Sequence, residues 1–250
     1  MEMNLKNEII IGRNSIKEAL ETDRIIDHIL ISKGEKQGSI KQIIYKCKER
    51  GIPIKEVSPA KLDSMAGGAV HQGIIAVTAV KEYSSVDDIF ELAKERNEQP
   101  FIIIADGLND PHNLGAVIRT AEASGAHGII IPKRHSAGLS ITVDKSSAGA
   151  LSHMPVARVT NIAAEIDKLK ERGLWIYGAD MDGETWCKTD FSGSIGLVIG
   201  SEGEGIGPLI KKKCDIIVSL PMVGKIESLN VSVASGIIMY EILKQRQNLK

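Results

Sequence analysis

The apolar positions in the second half of the chain fall into short runs that contain few alternating polar residues. Runs of this kind suit the strands of a parallel sheet that is covered on both faces, because neither face of such a strand meets water. Helical periodicity is found between or after these runs, over residues 113–124, 161–172 and 229–246. The pattern predicts an α/β domain over residues 100–250. Its strands are expected in FIIIADGL, HGIIIP, PVARV, LWIYGAD, IGLVIGSE and DIIVSLP.

The first 80 residues alternate between the two element types on a smaller scale. Ser58 and Pro59 predict the start of a short helix, with Ser as its cap and Pro in its first turn. The segment therefore has the pattern of a compact α/β module over residues 1–80. The other predicted elements are helices at 15–21 and 40–50 and strands at 24–32, 52–58 and 73–80.

Two segments stand apart from these domains. Residues 81–99 are polar and acidic and end before Pro100, so we interpret them as a linker that contains a short helix from Val86 to Arg96. The last helix is apolar almost all round from Val231 to Leu243. A helix of that kind is buried, either inside the domain or against a second subunit.

Composition narrows the function classes. The chain has 250 residues, of which 43% are hydrophobic, so it builds a proper core and wholesale disorder is excluded. A net charge of −1 and an aromatic content of 4% exclude a nucleic-acid grip made of overall positive charge or stacking alone. Cys47, Cys187 and Cys214 are too far apart for a disulfide framework or a metal motif, and no apolar run approaches a membrane span. We expect a cytoplasmic protein without metal or membrane contact.

The glycine-rich stretch GSEGEGIGP (200–208) does not fit a phosphate loop. A GxGxxG pattern that starts at Gly203 would place its last glycine on Pro208, and Glu202 and Glu204 would face the pyrophosphate. The P-loop, HExxH and GxSxG motifs are absent from the sequence. An acidic turn at the end of a strand remains, in the place where open α/β sheets bind ligands.

Three segments in this order resemble a known family: NDPHNLGAVIRTAEASGA (109–126), LVIGSEGEGI (197–206) and LPMVGKIESLNVSVASG (220–236). They are similar to the motifs of the TrmH (SpoU) family of RNA ribose 2′-O-methyltransferases, which use S-adenosyl-L-methionine (SAM) and belong to the SPOUT superfamily. The resemblance implies a SPOUT α/β domain with a trefoil knot and a homodimer. The first segment, with GRNSIKEAL and HQGIIA, resembles the L30e-like RNA-binding domain of the RlmB-like enzymes, which methylate a guanosine ribose of large-subunit rRNA.

The first motif contains Arg119, which the resemblance places in the active site. Its role is open between base for the 2′-OH proton and clamp for a neighbouring phosphate, and free arginine is a poor base because it stays protonated far above neutral pH. The structural alternative is a surface pair with Glu122. Asn109 and Asn113 flank the strand-to-helix turn, where they cap the helix or hold Arg119 or the ribose.

The other two motifs supply further site residues. The resemblance puts Glu202 in the active site, where it could pair with Arg119, and makes Ser228 and Asn230 ribose or phosphate contacts; all three are otherwise ordinary turn or helix-start residues. For SAM, the resemblance implies a cradle of backbone and apolar contacts. The cofactor positions are Gly200, Leu220 and Leu229, with Met222 and Ile226 either in the same pocket or in the core.

Phosphate contacts of the first domain are expected from Arg13, together with Lys17, Lys33 and Lys36. Lys211, Lys212 and Lys213 are interpreted as a helix C-terminus rather than an RNA contact. The expected function is transfer of the SAM methyl group to a ribose 2′-OH, most simply of a guanosine in 23S rRNA. The alternatives are tRNA, another rRNA position, or a catalytically silent rRNA-binding assembly factor. The complete set of motif residues argues against the silent factor.

Overall fold

The computed structural model describes residues 9–22, 24–35 and 38–248. The chain divides into two compact units. The first runs to Glu82 and includes Gly138–Ile141, and the second comprises Tyr83–Ala137 and Thr142 onwards. Within the described residues, no helix is long and apolar enough to cross a bilayer.

The first unit is a four-stranded sheet with helices packed against it. The strand order is β1-β4-β2-β3, in which only the β2–β3 pair is parallel. Successive residues of β2 enter different cores, because Ile29 lies in one hydrophobic cluster and Leu30 in another. The elements are β1 (Ile9–Ile11), α1 (Arg13–Ala19), β2 (Ile26–Ser32), α2 (Ser39–Glu49), β3 (Ile54–Val57), α3 (Pro59–Ala66) and β4 (Ile74–Thr78).

The predicted helices and strands of this unit are confirmed, including the start of α3. Ser58 caps that helix by accepting a hydrogen bond from the Lys61 N–H at 3.4 Å. The three-residue strand β1 was not predicted. Its short run of isoleucines is too brief to show a period, and its place is set by pairing with β4.

The second unit is a six-stranded sheet in the order β10-β8-β9-β5-β6-β7, and all of its neighbouring strands are parallel. This confirms the parallel sheet that the apolar runs predict. Every residue of β5 and β9 is buried, as expected for strands covered on both faces. The strands are β5 (Phe101–Ala105), β6 (Gly128–Pro132), β7 (Val156–Val159), β8 (Trp175–Thr185), β9 (Ile195–Ile199) and β10 (Ile216–Ser219).

Three of the helices follow the predicted periodicity, namely α5, α8 and α10. Helices α6 and α7 are too brief for a periodic signal and were not predicted, whereas the lysine run predicts only the end of α9. The helices are α4 (Val86–Glu95), α5 (Pro111–Ala123), α6 (Ile141–Ser147), α7 (Ala150–His153), α8 (Ile162–Glu171), α9 (Pro208–Lys211) and α10 (Val231–Arg246), with a 3-10 helix at Trp186–Lys188.

Helix α4 occupies the stretch that we interpret from sequence as a linker. A capping box between Ser85 and Asp88 starts it. Ile89 is fully buried in the core of the second unit, against Gly128 at the start of β6. The short helix that the sequence predicts within 81–99 is therefore confirmed, and it packs against the core of the second unit.

Helix α10 is only half covered in the single chain. Its buried face carries Ser235, Ile238, Met239 and Ile242. Val233, Ile237 and Tyr240 are 51%, 38% and 51% exposed. Burial all round inside the domain is thus wrong, and the second alternative from sequence, a contact with another subunit, stays a prediction.

Candidate active site

Two central strands bring the first and second sequence motifs to one edge of the sheet. β5 and β9 pair in register from Phe101 opposite Ile195 to Ala105 opposite Ile199. The loops that follow them therefore start side by side, at the carboxyl edge where open α/β sheets bind ligands. They are also tied together, because the Asp106 carboxylate accepts a hydrogen bond from the Gly207 N–H at 2.9 Å.

The loop after β5 leads directly into α5. Asp110 caps the helix by accepting a hydrogen bond from the His112 N–H at 2.9 Å, and Pro111 occupies the first turn, where its missing N–H costs nothing. This start turns Asn113 inward, and the residue is buried. The amide of Asn113 also donates to the Asp110 carboxylate at 3.2 Å.

The loop after β9 folds back on itself. Ser201 and Gly205 exchange two backbone hydrogen bonds, of 3.0 and 3.1 Å, and Gly203 and Gly205 adopt φ values of +86° and +66°. A Cβ at Gly200 would collide with the backbone of Gly205 and Ile206. The glycines are therefore required by a tight turn, and the turn carries Glu202 at its tip.

Glu202, Asn113 and Asn230 form one hydrogen-bonded cluster. The Glu202 Oε1 atom accepts from Asn113 Nδ2 at 2.7 Å and from Asn230 Nδ2 at 2.8 Å. Asn230 Nδ2 also donates to Asn113 Oδ1 at 3.0 Å. Asn230 is the N-cap of α10, since its Oδ1 accepts from the Ser232 N–H at 2.9 Å. One residue from each motif thus meets at the carboxyl edge of the sheet.

The structure does not place Arg119 in this cluster, and the predicted Glu202–Arg119 pair is absent. Glu202 is occupied by two amides instead. Arg119 lies six residues after Asn113 on the same helix, which is about 240° round the helix axis and so on a different face. Its side chain is exposed, and no hydrogen bond or ion pair joins it to another described residue, Glu122 included.

The two asparagines of the first motif differ in position. The Asn109 amide donates to the Gly107 carbonyl oxygen at 3.1 Å, which stabilises the turn, and Asn109 makes no hydrogen bond to the cluster among the described residues. Asn113 belongs to the cluster. Nothing in the local sequence pattern predicts this difference.

A cavity of about 270 Å³ opens beside the cluster. Gly200, Leu220 and Leu229 line it, and so do Ser228 and Met222, which the sequence leaves open between the pocket and the core. Ile226 lies neither in this cavity nor in the core, the two positions that the sequence leaves open for it. It is absent from the lining and is 64% exposed, because the loop between β10 and α10 turns it to solvent.

A further part of the cavity wall was not predicted from the sequence. β10 pairs with β8 through Ile217 opposite Gly178 and then Val218 opposite Glu184, so five residues of β8 bulge out between these pairs. The bulge adds Ala179, Asp180 and Met181 to the lining. Its one sequence signal is Gly183, where a Cβ would collide with the backbone of β10.

The charges of the cavity suit a cation. Among the described residues, the lining contains Asp180, Glu202, Glu204 and Glu227 and no lysine or arginine. A phosphate group would be repelled there, whereas a sulfonium would be attracted. The remaining lining is largely apolar or backbone, which suits an adenine ring and close contact through glycine. The residues present therefore fit SAM.

Arg13 and Lys17, two of the basic residues expected to contact RNA phosphates, are hydrogen-bonded within the first unit. In the first unit Arg13 donates to Glu35 at 2.7 Å and to the Gln72 carbonyl oxygen at 3.0 Å, and Lys17 donates to Gln42 at 2.9 Å. Lys33 is exposed, and Lys36 lies outside the described residues.

Within the lysine run, α9 ends at Lys211, as the helix-end interpretation expects. Lys211 pairs with Asp180 at 3.0 Å and Lys213 with Asp167 at 2.6 Å. Within 9–22, 24–35 and 38–248, no group of three or more side chains has the arrangement of a metal site.

Comparison with known proteins identifies the family. A model of the SpoU rRNA Methylase family matches residues 100–240, and a model of an RNA 2′-O ribose methyltransferase substrate-binding domain matches residues 9–84. The chain belongs to the SpoU rRNA methylase family.

Relatives in this family align with the chain from end to end. The protein named "Putative TrmH family tRNA/rRNA methyltransferase YacO" from Bacillus subtilis is 47% identical over 245 residues, or 98% of each chain. The SpoU methyltransferase AviRb from Streptomyces viridochromogenes, solved with AdoMet, matches with a TM-score of 0.61 and 25% identity over 96% of this chain and 90% of that chain.

A further solved structure shows the same fold. The AdoMet-bound rRNA methyltransferase from Sinorhizobium meliloti has a TM-score of 0.58 and 23% identity, and the match covers 97% of this chain and 88% of that chain. The α/β fold with a smaller N-terminal domain is thus that of the SpoU methyltransferases. The chain is a SAM-dependent RNA methyltransferase of the SpoU family.

Proposed function

We propose that the protein transfers the methyl group of SAM to a ribose 2′-OH of RNA, and that the target is a guanosine of 23S rRNA. The observation that carries this proposal is the cluster of Asn113, Glu202 and Asn230, which lies at the rim of a cavity that suits SAM. Residues 9–84 match the substrate-binding domain of RNA 2′-O ribose methyltransferases, which supports a ribose rather than a base as acceptor.

Bound SAM supplies an electrophilic methyl group on a sulfonium. The chain must then hold the ribose hydroxyl in line with that methyl group, and alignment of two reactants is itself a large part of such a rate enhancement. The amides of Asn113 and Asn230 are held by Glu202, so the cluster is preorganised before RNA binds. Ser228, at the cavity wall, supplies a hydroxyl for the ribose.

Arg119 acts on the RNA rather than on Glu202. Its guanidinium is exposed on α5 and is bonded to none of the described side chains, so it is available to a phosphate beside the target ribose. A guanidinium binds phosphate through two parallel hydrogen bonds. Contact with the 2′-OH itself is the second candidate role.

The first unit holds the RNA, and the boundaries we propose are residues 1–80 for this domain and 100–250 for the methyltransferase domain. The large-subunit target rests on the likeness of GRNSIKEAL and HQGIIA to enzymes that act there. The second candidate substrate is tRNA, since the Bacillus subtilis relative is named for both RNAs. Both reactions take place in the cytoplasm.

We further propose a homodimer. Val233, Ile237 and Tyr240 form an apolar stripe along one exposed face of α10. A second copy that covers this stripe would bury the three side chains that a single chain leaves exposed to water. Sedimentation equilibrium is expected to give twice the chain mass, and a monomer at micromolar concentration would disprove the dimer.

The test of the catalytic assignment compares Arg119→Ala with Arg96→Ala. Arg96 is an exposed arginine at the end of α4, next to the opposite edge of the sheet, and is a matched control. We expect Arg119→Ala to lose methyl transfer by at least about 100-fold while it still binds S-adenosylhomocysteine, and Arg96→Ala to stay within about twofold. Unchanged turnover of Arg119→Ala would remove the arginine from the site.

A further inference from the structure

Asp180 is a carboxylate of the cavity wall that the motifs do not include. It lies on the bulge of β8, and its side chain is only 15% exposed. Its Oδ1 atom is satisfied twice, by Lys211 Nζ at 3.0 Å and by the Met181 N–H at 2.7 Å. Within the described part of the chain, Oδ2 accepts no hydrogen bond.

The Oδ2 atom faces the turn after β9 that carries Glu202. Oδ2 lies 3.7 Å from the position that a Cβ would take on Gly205, and both residues line the cavity. A carboxylate oxygen is an acceptor only, and Oδ2 has no donor among the described residues. The geometry therefore offers this oxygen to a donor on the bound molecule.

The ion pair limits what kind of donor fits. Lys211 neutralises Asp180, so this carboxylate is a weak partner for the sulfonium or the ammonium group of SAM, whereas Glu202 has no cationic partner among the described side chains. The neutral donors of SAM are the amino group of adenine and the two ribose hydroxyls, and the acidic residue at this edge of the sheet favours the hydroxyls. Nucleotide-binding α/β folds commonly place an acidic residue on a ribose hydroxyl at this edge of the sheet.

We propose that Asp180 Oδ2 accepts a hydrogen bond from a ribose hydroxyl of bound SAM, and that Lys211 is the positioning residue that holds the carboxylate. The assignment rests on the SAM cofactor and is independent of which RNA is methylated. Asp182 is the natural control, since it lies on the same bulge, is 89% exposed and reaches Lys211 only at 3.9 Å.

The experiment measures binding by calorimetry, with S-adenosylhomocysteine and with 5′-methylthioadenosine as probes. The second probe keeps the ribose and adenine but has no amino acid and no charge. Asp180→Asn is expected to weaken both probes by about tenfold, and Asp182→Asn to leave both within twofold. Weaker binding of S-adenosylhomocysteine alone would assign Asp180 to the ammonium group and overturn the proposal.

The 2′-deoxy and 3′-deoxy forms of methylthioadenosine identify the hydroxyl. In the wild-type protein one of them is expected to bind about tenfold more weakly than the parent, and in Asp180→Asn that loss is expected to vanish. Equal losses in both proteins, or no loss in the wild type, would overturn the proposal, and the wild-type arm does not depend on how the variant folds. If the wild-type protein bound neither parent probe, the SAM assignment itself would fail.

Discussion

Glu202 and Asn230 are joined by a hydrogen bond of 2.8 Å between the Asn230 amide nitrogen and the Glu202 Oε1 atom. The bond links the turn after β9 to the first residue of α10. The orientation of the Asn230 amide is set by its capping role, because its oxygen accepts from the Ser232 N–H at 2.9 Å and its nitrogen must therefore face Glu202. The same Asn230 side chain thus caps α10 and holds Glu202, so the capping hydrogen bond also fixes the geometry of the site.

In the methyl-transfer step, the carboxylate of Glu202 is expected to act mainly as the acceptor that holds the two amides. Glu202→Gln keeps an oxygen for both amides, whereas Glu202→Ala leaves the Asn113 and Asn230 amides without it. Since hydrogen bonds to charged groups are worth about 1.5–3 kcal/mol, we expect kcat to fall by about 10- to 100-fold in Glu202→Ala and by less in Glu202→Gln. Steady-state methyl transfer measures this. Equal losses in the two variants would show that the charge is what counts.

The two asparagines of the first motif provide a paired test. Asn113→Ala removes a buried member of the cluster and is expected to reduce kcat by about 10- to 100-fold. Asn109→Ala removes one hydrogen bond to the Gly107 carbonyl oxygen, so we expect a change within about threefold. Thermal melting of both variants controls for folding. The reverse order of effects would mean that the cluster is not the catalytic one.

The free energy of unfolding is expected to depend on pH through His127, which lies at the amino edge of the sheet. The Phe101 N–H donates to His127 Nδ1 at 3.0 Å, so Nδ1 carries no proton and Nε2 faces Glu98 at 3.1 Å. Burial lowers the pKa of His127, and the nearby Glu98 carboxylate only partly opposes this. The unfolded chain, with a pKa near 6.5, then binds more protons than the folded one, so stability falls as pH drops through that region.

The matched variant is His127→Asn, whose side-chain oxygen can still accept from the Phe101 N–H but does not titrate. Urea unfolding at pH 7.5 and pH 5.5 should show a larger loss of stability in the wild-type protein than in the variant. Parallel losses would assign the pH dependence to other groups.

The three cysteines are expected to differ in reactivity. Burial raises the pKa of Cys47 to about 11 and that of Cys214 to about 12, so little thiolate forms at pH 8. Cys187 is exposed. A disulfide reagent should therefore label one thiol rapidly in the native protein and three in denaturant, and Cys187→Ser should remove the rapid phase. Rapid labelling of Cys47 or Cys214 in the native state would contradict the raised pKa of these two thiols.

The sequence pattern predicts the sheets better than the site. Strands such as β5 and β9 are apolar throughout. A short run of this kind has to be buried on both faces, and the centre of a parallel sheet provides such a position. The pairing of Glu202 with Asn230 rather than with Arg119 depends on how two loops fold towards each other, which no local pattern encodes. The same holds for Asp180, which enters the cavity through a bulge between β8 and β10. The trefoil knot stays a prediction from the resemblance.

The most direct test of the proposed function is to identify the methylated atom. The protein is incubated with SAM labelled on its methyl group and with total RNA from cells that lack the enzyme, and the labelled nucleosides are then separated and mapped. We expect one 2′-O-methylguanosine in 23S rRNA, which is absent with Arg119→Ala. Label on a base, or on tRNA with none on 23S rRNA, would contradict the proposal.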